Sequence, residues 1–146
     1  MIHLHTHNGI AVSAQREGLL PISQQSLFAL ASIAYHDYEG LALIEDEKAR
    51  LVADLGNKTN MILRNHGLLT VGKTPAEAFL SMYILENACR IQLLAQSGGG
   101  TLLPVSETIL DKVASQLGAV TVGQGAQLAW PGLLRKLDRM DSSYRE

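Results

Sequence analysis

Residues 60–77 read Asn-Met-Ile-Leu-Arg-Asn-His-Gly-Leu-Leu-Thr-Val-Gly-Lys-Thr-Pro-Ala-Glu, two β-rich runs followed by a helix start. Asn60–Arg64 and Leu68–Val71 are runs that suit a pleated surface, while Asn65-His66-Gly67 between them supplies turn chemistry. The pattern predicts two tightly linked strands. Thr74-Pro75-Ala76-Glu77 follows at once, with a capping hydroxyl, proline at the first helical position and a glutamate placed for a capping box. The helix it opens is expected to run to about Gln96, with Gly98–Gly100 ending it as cap and linker. Leu80, Ile84, Ala88, Ile91 and Ala95 give that helix one apolar face.

Working back towards the amino terminus, Asp46 is placed to cap a helix through Leu55, which Gly56 closes. Ser32–Tyr38 reads as a strand, with Leu41–Ile44 continuing the extended chain. Ser23 is a plausible cap for a helix over Gln24–Leu30, after a turn at Gly18–Ser23. Asn8–Gln15 is a short helix opening at Asn8. Met1–Thr6 alternates apolar residues with histidine, the period of a strand. A strand that begins at the first residue predicts further sequence upstream. Towards the other end, Ser106–Leu117 reads as an amphipathic helix, Gly123–Gly125 as a loop, and Leu128–Met140 as a helix entered near Pro131.

Composition narrows the function classes. The 146 residues are 47% hydrophobic and 18% charged, enough apolar surface for one folded domain with a core. A net charge of −2, with Lys and Arg scattered, excludes the basic stripe that nucleic-acid binding needs. No apolar run reaches the ~18 residues of a membrane span, so no membrane partner is expected. Cys89 is the sole cysteine, which rules out an intrachain disulfide and makes a reducing, cytoplasmic home the default. It falls in an apolar helical run and is expected to be an inert, buried thiol.

The chemistry-bearing residues are the five histidines. His3, His5 and His7 occupy alternate positions, so a strand lasting to residue 7 would project all three from one face. Neutral imidazoles grouped in this way suit a divalent transition metal. His66, followed by a glycine that lets the backbone turn tightly, is placed to join them. Glu45-Asp46-Glu47 reads as a charge cluster favoured by a helix N-terminus. Asp37 and Glu39 flank Tyr38 at a strand end, where solvation is the simpler reading.

In this order, His3-Leu-His5-Thr6, Ala11-Val-Ser13, Asn65-His-Gly-Leu68 and Thr70-Val-Gly72 resemble the class II aldolase/adducin family. Gly18-Leu-Leu-Pro-Ile-Ser23 and Ala34-Tyr-His-Asp-Tyr-Glu-Gly40 look like its adducin-head branch. The resemblance runs from residue 1 to about Gly100. It implies a three-layer α/β/α fold with a mainly antiparallel central sheet and helices on both faces. Residues 1–146 would then be a partial domain of this kind, its amino-terminal part missing.

The resemblance also implies a ligand set. Relative to Ala11-Val-Ser13, the family's paired ligands fall on His3 and His5, and His66 matches the third. His7 becomes a pocket residue, and His36 matches no ligand and is expected to be structural. The implied cofactor is a divalent metal, zinc first, with manganese or iron as alternatives. The implied activity is an aldolase, epimerase or decarboxylase-like reaction on a small hydroxy-carbonyl or sugar-phosphate compound, by a homo-oligomer such as a tetramer. The family's acid/base carboxylate lies upstream of the HxH strand, so the catalytic residue is unknown here and weak turnover is expected. Glu17, Asp37 or Glu39 would replace it only if the fold returned one to the metal. The tyrosine that family aldolases carry after the proline is absent beyond Pro21. The alternative is a non-catalytic adducin-like assembly or binding module that retains the histidines.

Overall fold

The structure, a computed structural model, describes residues 1–40, 45–120 and 124–145. Among the described residues four strands, β1 (Ile2–Leu4), β2 (Ile33–His36), β3 (Asn60–Leu63) and β4 (Gly67–Thr70), form one sheet in the order β1-β4-β3-β2. The first two pairings are antiparallel and β2–β3 is parallel. The family expectation of a mainly antiparallel sheet therefore holds for two of the three ladders.

The register sorts the two faces. Leu4, Leu68, Ile62 and Tyr35 lie opposite one another across the sheet and share one face. Two helices, α1 (His7–Ser13) and α4 (Pro75–Ser97), pack on each other and against this face, and α2 (Gln24–Leu30) packs on α4. Val12, Ala29, Ile62, Leu68, Leu85 and Cys89 meet there as the core. Burial pushes the Cys89 thiol up to about 12, with the Glu86 charge adding to the shift, so it carries no thiolate at neutral pH. His3, Leu69, Met61, Leu63 and His36 take the other face, which α3 (Glu45–Leu55) approaches beside β2. Helices thus lie on both faces.

Several boundaries differ from the sequence expectations. The first strand stops at Leu4 because Thr6, not Asn8, caps α1: its hydroxyl accepts from the Gly9 amide at 3.1 Å. That helix ends at Ser13 with Ala14 as its cap. Asp46 does not cap α3, which already includes Glu45; Gly56, at φ +51°, does close it. Glu77 reaches past the cap residue to accept from the Lys73 amide at 2.7 Å, so the expected box is displaced by one residue.

Two further α-helices among the described residues are α5 (Glu107–Val120) and α6 (Gln124–Met140), and a single 3-10 turn, Ser143–Arg145, follows them. Gly125 and Pro131, expected in a loop and at a helix entrance, both lie inside α6. There the buried Ala126, and Trp130 edge-on against Phe79 of α4 at 5.6 Å between ring centroids, offset the hydrogen bond that proline removes. Leu41–Ile44 and Gly123 fall outside the described residues. No helix among the described residues is long and apolar enough to cross a membrane.

Candidate metal centre

Three elements deliver three imidazoles to one point. His3 stands on β1, His5 just beyond its end, and His66 in the turn between β3 and β4. In that turn Asn65 takes the left-handed conformation (φ 55°), which asparagine tolerates better than most residues. Gly67 has a different reason from the one its turn position suggested. A Cβ there would meet the Leu4 carbonyl oxygen at 2.5 Å and His5 Cδ2 at 3.3 Å, so only glycine lets β4 lie this close to β1.

His5 Nε2 stands 2.8 Å from His3 Nε2 and 2.8 Å from His66 Nε2, and the three ligand nitrogens lie within 4.8 Å of one another. His3 Nδ1 is 2.9 Å from the Leu68 carbonyl oxygen, which can only accept. That hydrogen bond places the His3 proton on Nδ1 and leaves Nε2 a bare lone pair in the neutral ring. A ring nitrogen is a donor or an acceptor and not both, so two close nitrogen neighbours on His5 Nε2 are served better by a shared cation. Nitrogens bound tetrahedrally at ~2.0–2.1 Å would stand roughly 3.3 Å apart, about half an ångström wider than the 2.8 Å of the two pairs through His5. The residues present fit a metal. His66 has its pKa lowered, by burial first and then by the neighbouring His3 and His5 rings, which favours the neutral, ligand-competent form.

A carboxylate supports the corner that carries His5. Glu86, on α4, accepts from the Thr6 hydroxyl through Oε2 and from Asn8 Nδ2 through Oε1 at 2.8 Å. Nothing in the sequence pattern singles out this residue, one of two acids on a long helix. His7 leaves the histidine face because α1 begins there; it is exposed and stands outside the three-histidine group.

A cavity of about 200 Å³ adjoins the group on the sheet's second face and is lined by both His3 and His66. Tyr38 lies beside it, its ring centroid 6.4 Å from that of His66. Asp37, Glu39 and Glu47 also line it, so the fold does bring carboxylates to the neighbourhood of the histidines; Glu17 is not among the lining residues. His36 is buried beneath them with Nδ1 2.7 Å from Asp54 Oδ2, and it anchors α3 to β2.

A small α/β domain with a mixed sheet between helices, and three histidines gathered where the end of β1 meets the β3–β4 turn, defines a class of protein, and comparison identifies it. Residues 1–93 match the class II aldolase and adducin N-terminal domain. A protein of Pseudomonas aeruginosa that carries an aldolase class 2 name is 53% identical over all of this chain, which covers 58% of the relative. The crystal structure of an aldolase II superfamily protein from Pseudomonas syringae superposes with a TM-score of 0.92 at 49% identity, covering 99% of this chain and 58% of that one. An L-fuculose 1-phosphate aldolase from Glaciozyma antarctica gives a TM-score of 0.65 at 31% identity, over 79% of this chain and 43% of the other. The chain belongs to the class II aldolase and adducin family. It spans a little over half the length of the P. aeruginosa and P. syringae proteins.

Proposed function

We propose that this chain is a divalent-metal-dependent, aldolase-type domain with lyase-like chemistry, acting on a small hydroxy-carbonyl compound or sugar phosphate. The convergence of His3, His5 and His66 through Nε2 carries this reading. Class II aldolases as a family use a divalent metal. An all-imidazole donor set suits zinc first, with manganese and iron as the alternatives. When bound, the metal supplies Lewis-acid polarisation of a substrate carbonyl.

The chain's own residues do the rest. His3, His5 and His66 would hold the ion, and the Leu68 carbonyl keeps His3 in the tautomer that binds. Glu86 fixes the corner between His5 and α1. The adjoining cavity takes a ligand of a few heavy atoms, with Leu51, Leu63 and Leu69 as its dry side and Tyr38 beside His66. Membership shared with the adducins favours a second reading, an assembly or binding module that keeps the metal site without turnover.

A homo-oligomer also fits. Among the described residues β1 and β2 are unpaired sheet edges. Tyr83 and Leu94 on α4, and Leu128 and Met140 on α6, are each at least 60% exposed. The experiment is metal analysis of the purified chain followed by retro-aldol assays on ketose phosphates. Bound metal with weak turnover that His5→Ala abolishes supports the enzyme. Bound metal without turnover on any substrate supports the module. Absence of bound metal under saturating zinc contradicts both.

A further inference from the structure

His36 is 4% exposed, yet its Nε2 has no hydrogen-bond partner. Its other nitrogen, Nδ1, is 2.7 Å from Asp54 Oδ2, so the ring is fixed and the bare edge faces the carboxylates that line the cavity. Glu47 Oε1 stands 3.8 Å from that Nε2 and Glu39 Oε1 stands at 4.0 Å.

These carboxylates are not equivalent. Glu39 is engaged on both oxygens by the Arg50 guanidinium. Asp37 is exposed at the cavity edge. The Glu47 side chain is only 12% exposed, and the cavity it lines is the one that His3 and His66 line. Arg64, the cation of the cavity wall, is occupied elsewhere: it donates to the Gln15 carbonyl at 2.8 Å and lies over the Tyr35 ring.

We propose that Glu47 is a proton-transfer carboxylate of the three-histidine site, and that the Asp54–His36 pair positions it. The proposal rests on the metal-dependent reading above. With a hydroxy-ketone in the cavity, the C–H bond beside the carbonyl breaks and its proton passes to a Glu47 oxygen. The bond's electron pair moves onto the carbonyl oxygen, giving an enediolate, and return of a proton from the carboxyl reverses the step. No oxidant or co-reactant is consumed. His36 acts through Glu47: once that carboxyl is protonated, the bare Nε2 gives it a hydrogen-bond acceptor after a short side-chain movement.

The test uses the full chain with two readouts. In the manganese-loaded, 13C-labelled protein, paramagnetic broadening should reach the Glu47 carboxyl carbon and spare that of the exposed Glu107. In the zinc-loaded protein in D2O, dihydroxyacetone should exchange its carbon-bound hydrogens for deuterium. Glu47→Gln should slow that exchange by ~10²-fold or more, with zinc affinity and melting temperature close to wild type, while Glu107→Gln leaves the rate unchanged. His36→Asn should slow exchange and move the acidic limb of its pH profile, which a loss of stability alone would not do. A Glu47 signal that stays sharp beside bound manganese overturns the proposal. So does wild-type exchange that Glu47→Gln does not alter, or zinc-loaded wild type that exchanges nothing. In all three cases metal is bound and the metal site stands. Failure to bind either metal instead removes the reading on which the proposal rests, and the proposal with it.

Discussion

The Leu68 carbonyl accepts a hydrogen bond from His3 Nδ1 at 2.9 Å, across a separation of 65 residues. One contact joins β1 to β4, sets the tautomer of a candidate ligand and aims its Nε2 at His5 and His66. Strand pairing and site geometry are the same event here, because His3 lies opposite Leu69 and the adjacent carbonyl is the natural acceptor.

The Glu86 clamp is expected to be energetically substantial. It holds the Thr6 hydroxyl and the Asn8 amide with one partly buried carboxylate, and hydrogen bonds to charged groups contribute ~1.5–3 kcal/mol each. Glu86→Ala should therefore lower the urea unfolding free energy by roughly 2–4 kcal/mol and weaken zinc binding about 10–100-fold, the usual effect of disturbing a ligand's support. Equilibrium unfolding with and without zinc separates the two effects. An unchanged zinc affinity would show that the corner holds itself.

Gly67→Ala is expected to damage the site more than the fold. The added methyl would press on the Leu4 carbonyl and on His5. It should cost ~1–3 kcal/mol, as overpacking does, and lower metal affinity by separating β1 from β4. Metal affinity that survives unchanged while stability falls would contradict this account of the strand approach.

The pH dependence has a definite sign. His66 is harder to protonate folded than unfolded, through burial and then the His3 and His5 rings. Its contribution to stability is thus intact above its unfolded pKa of ~6.5 and is lost as pH falls from there through the lower folded value. Metal-free protein should lose urea resistance as pH falls below about 6.5, and His66→Asn should flatten that slope. A wild-type slope of the opposite sign would refute the assignment.

How much of this was legible in the sequence depends on how local the signal was. The β3–β4 pair, the Thr74-Pro75 entry to α4 and the Ser23 cap of α2 rest on short-range chemistry and were placed within a residue or so. The end of β1 was misplaced because Thr6 takes its partner, Glu86, from 80 residues away. Pro131 misled because tertiary contacts of α6 on α4 outweighed a local rule. His3, His5 and His66 were named through a family resemblance; spacing alone also offered His7, which the Thr6 cap turns away. Glu47 looked like helix-terminal charge, since nothing local shows that α3 packs back beside β2.

A calorimetric titration of the metal-free chain with zinc at neutral pH tests whether His3, His5 and His66 hold an ion. One ion per chain is expected, with affinity reduced more than ~100-fold in His66→Ala, a loss beyond that of disturbing a supporting group. His7→Ala should leave the titration unchanged. Equal affinity in wild type and His66→Ala, or binding that depends on His7, would contradict a site built from those three histidines.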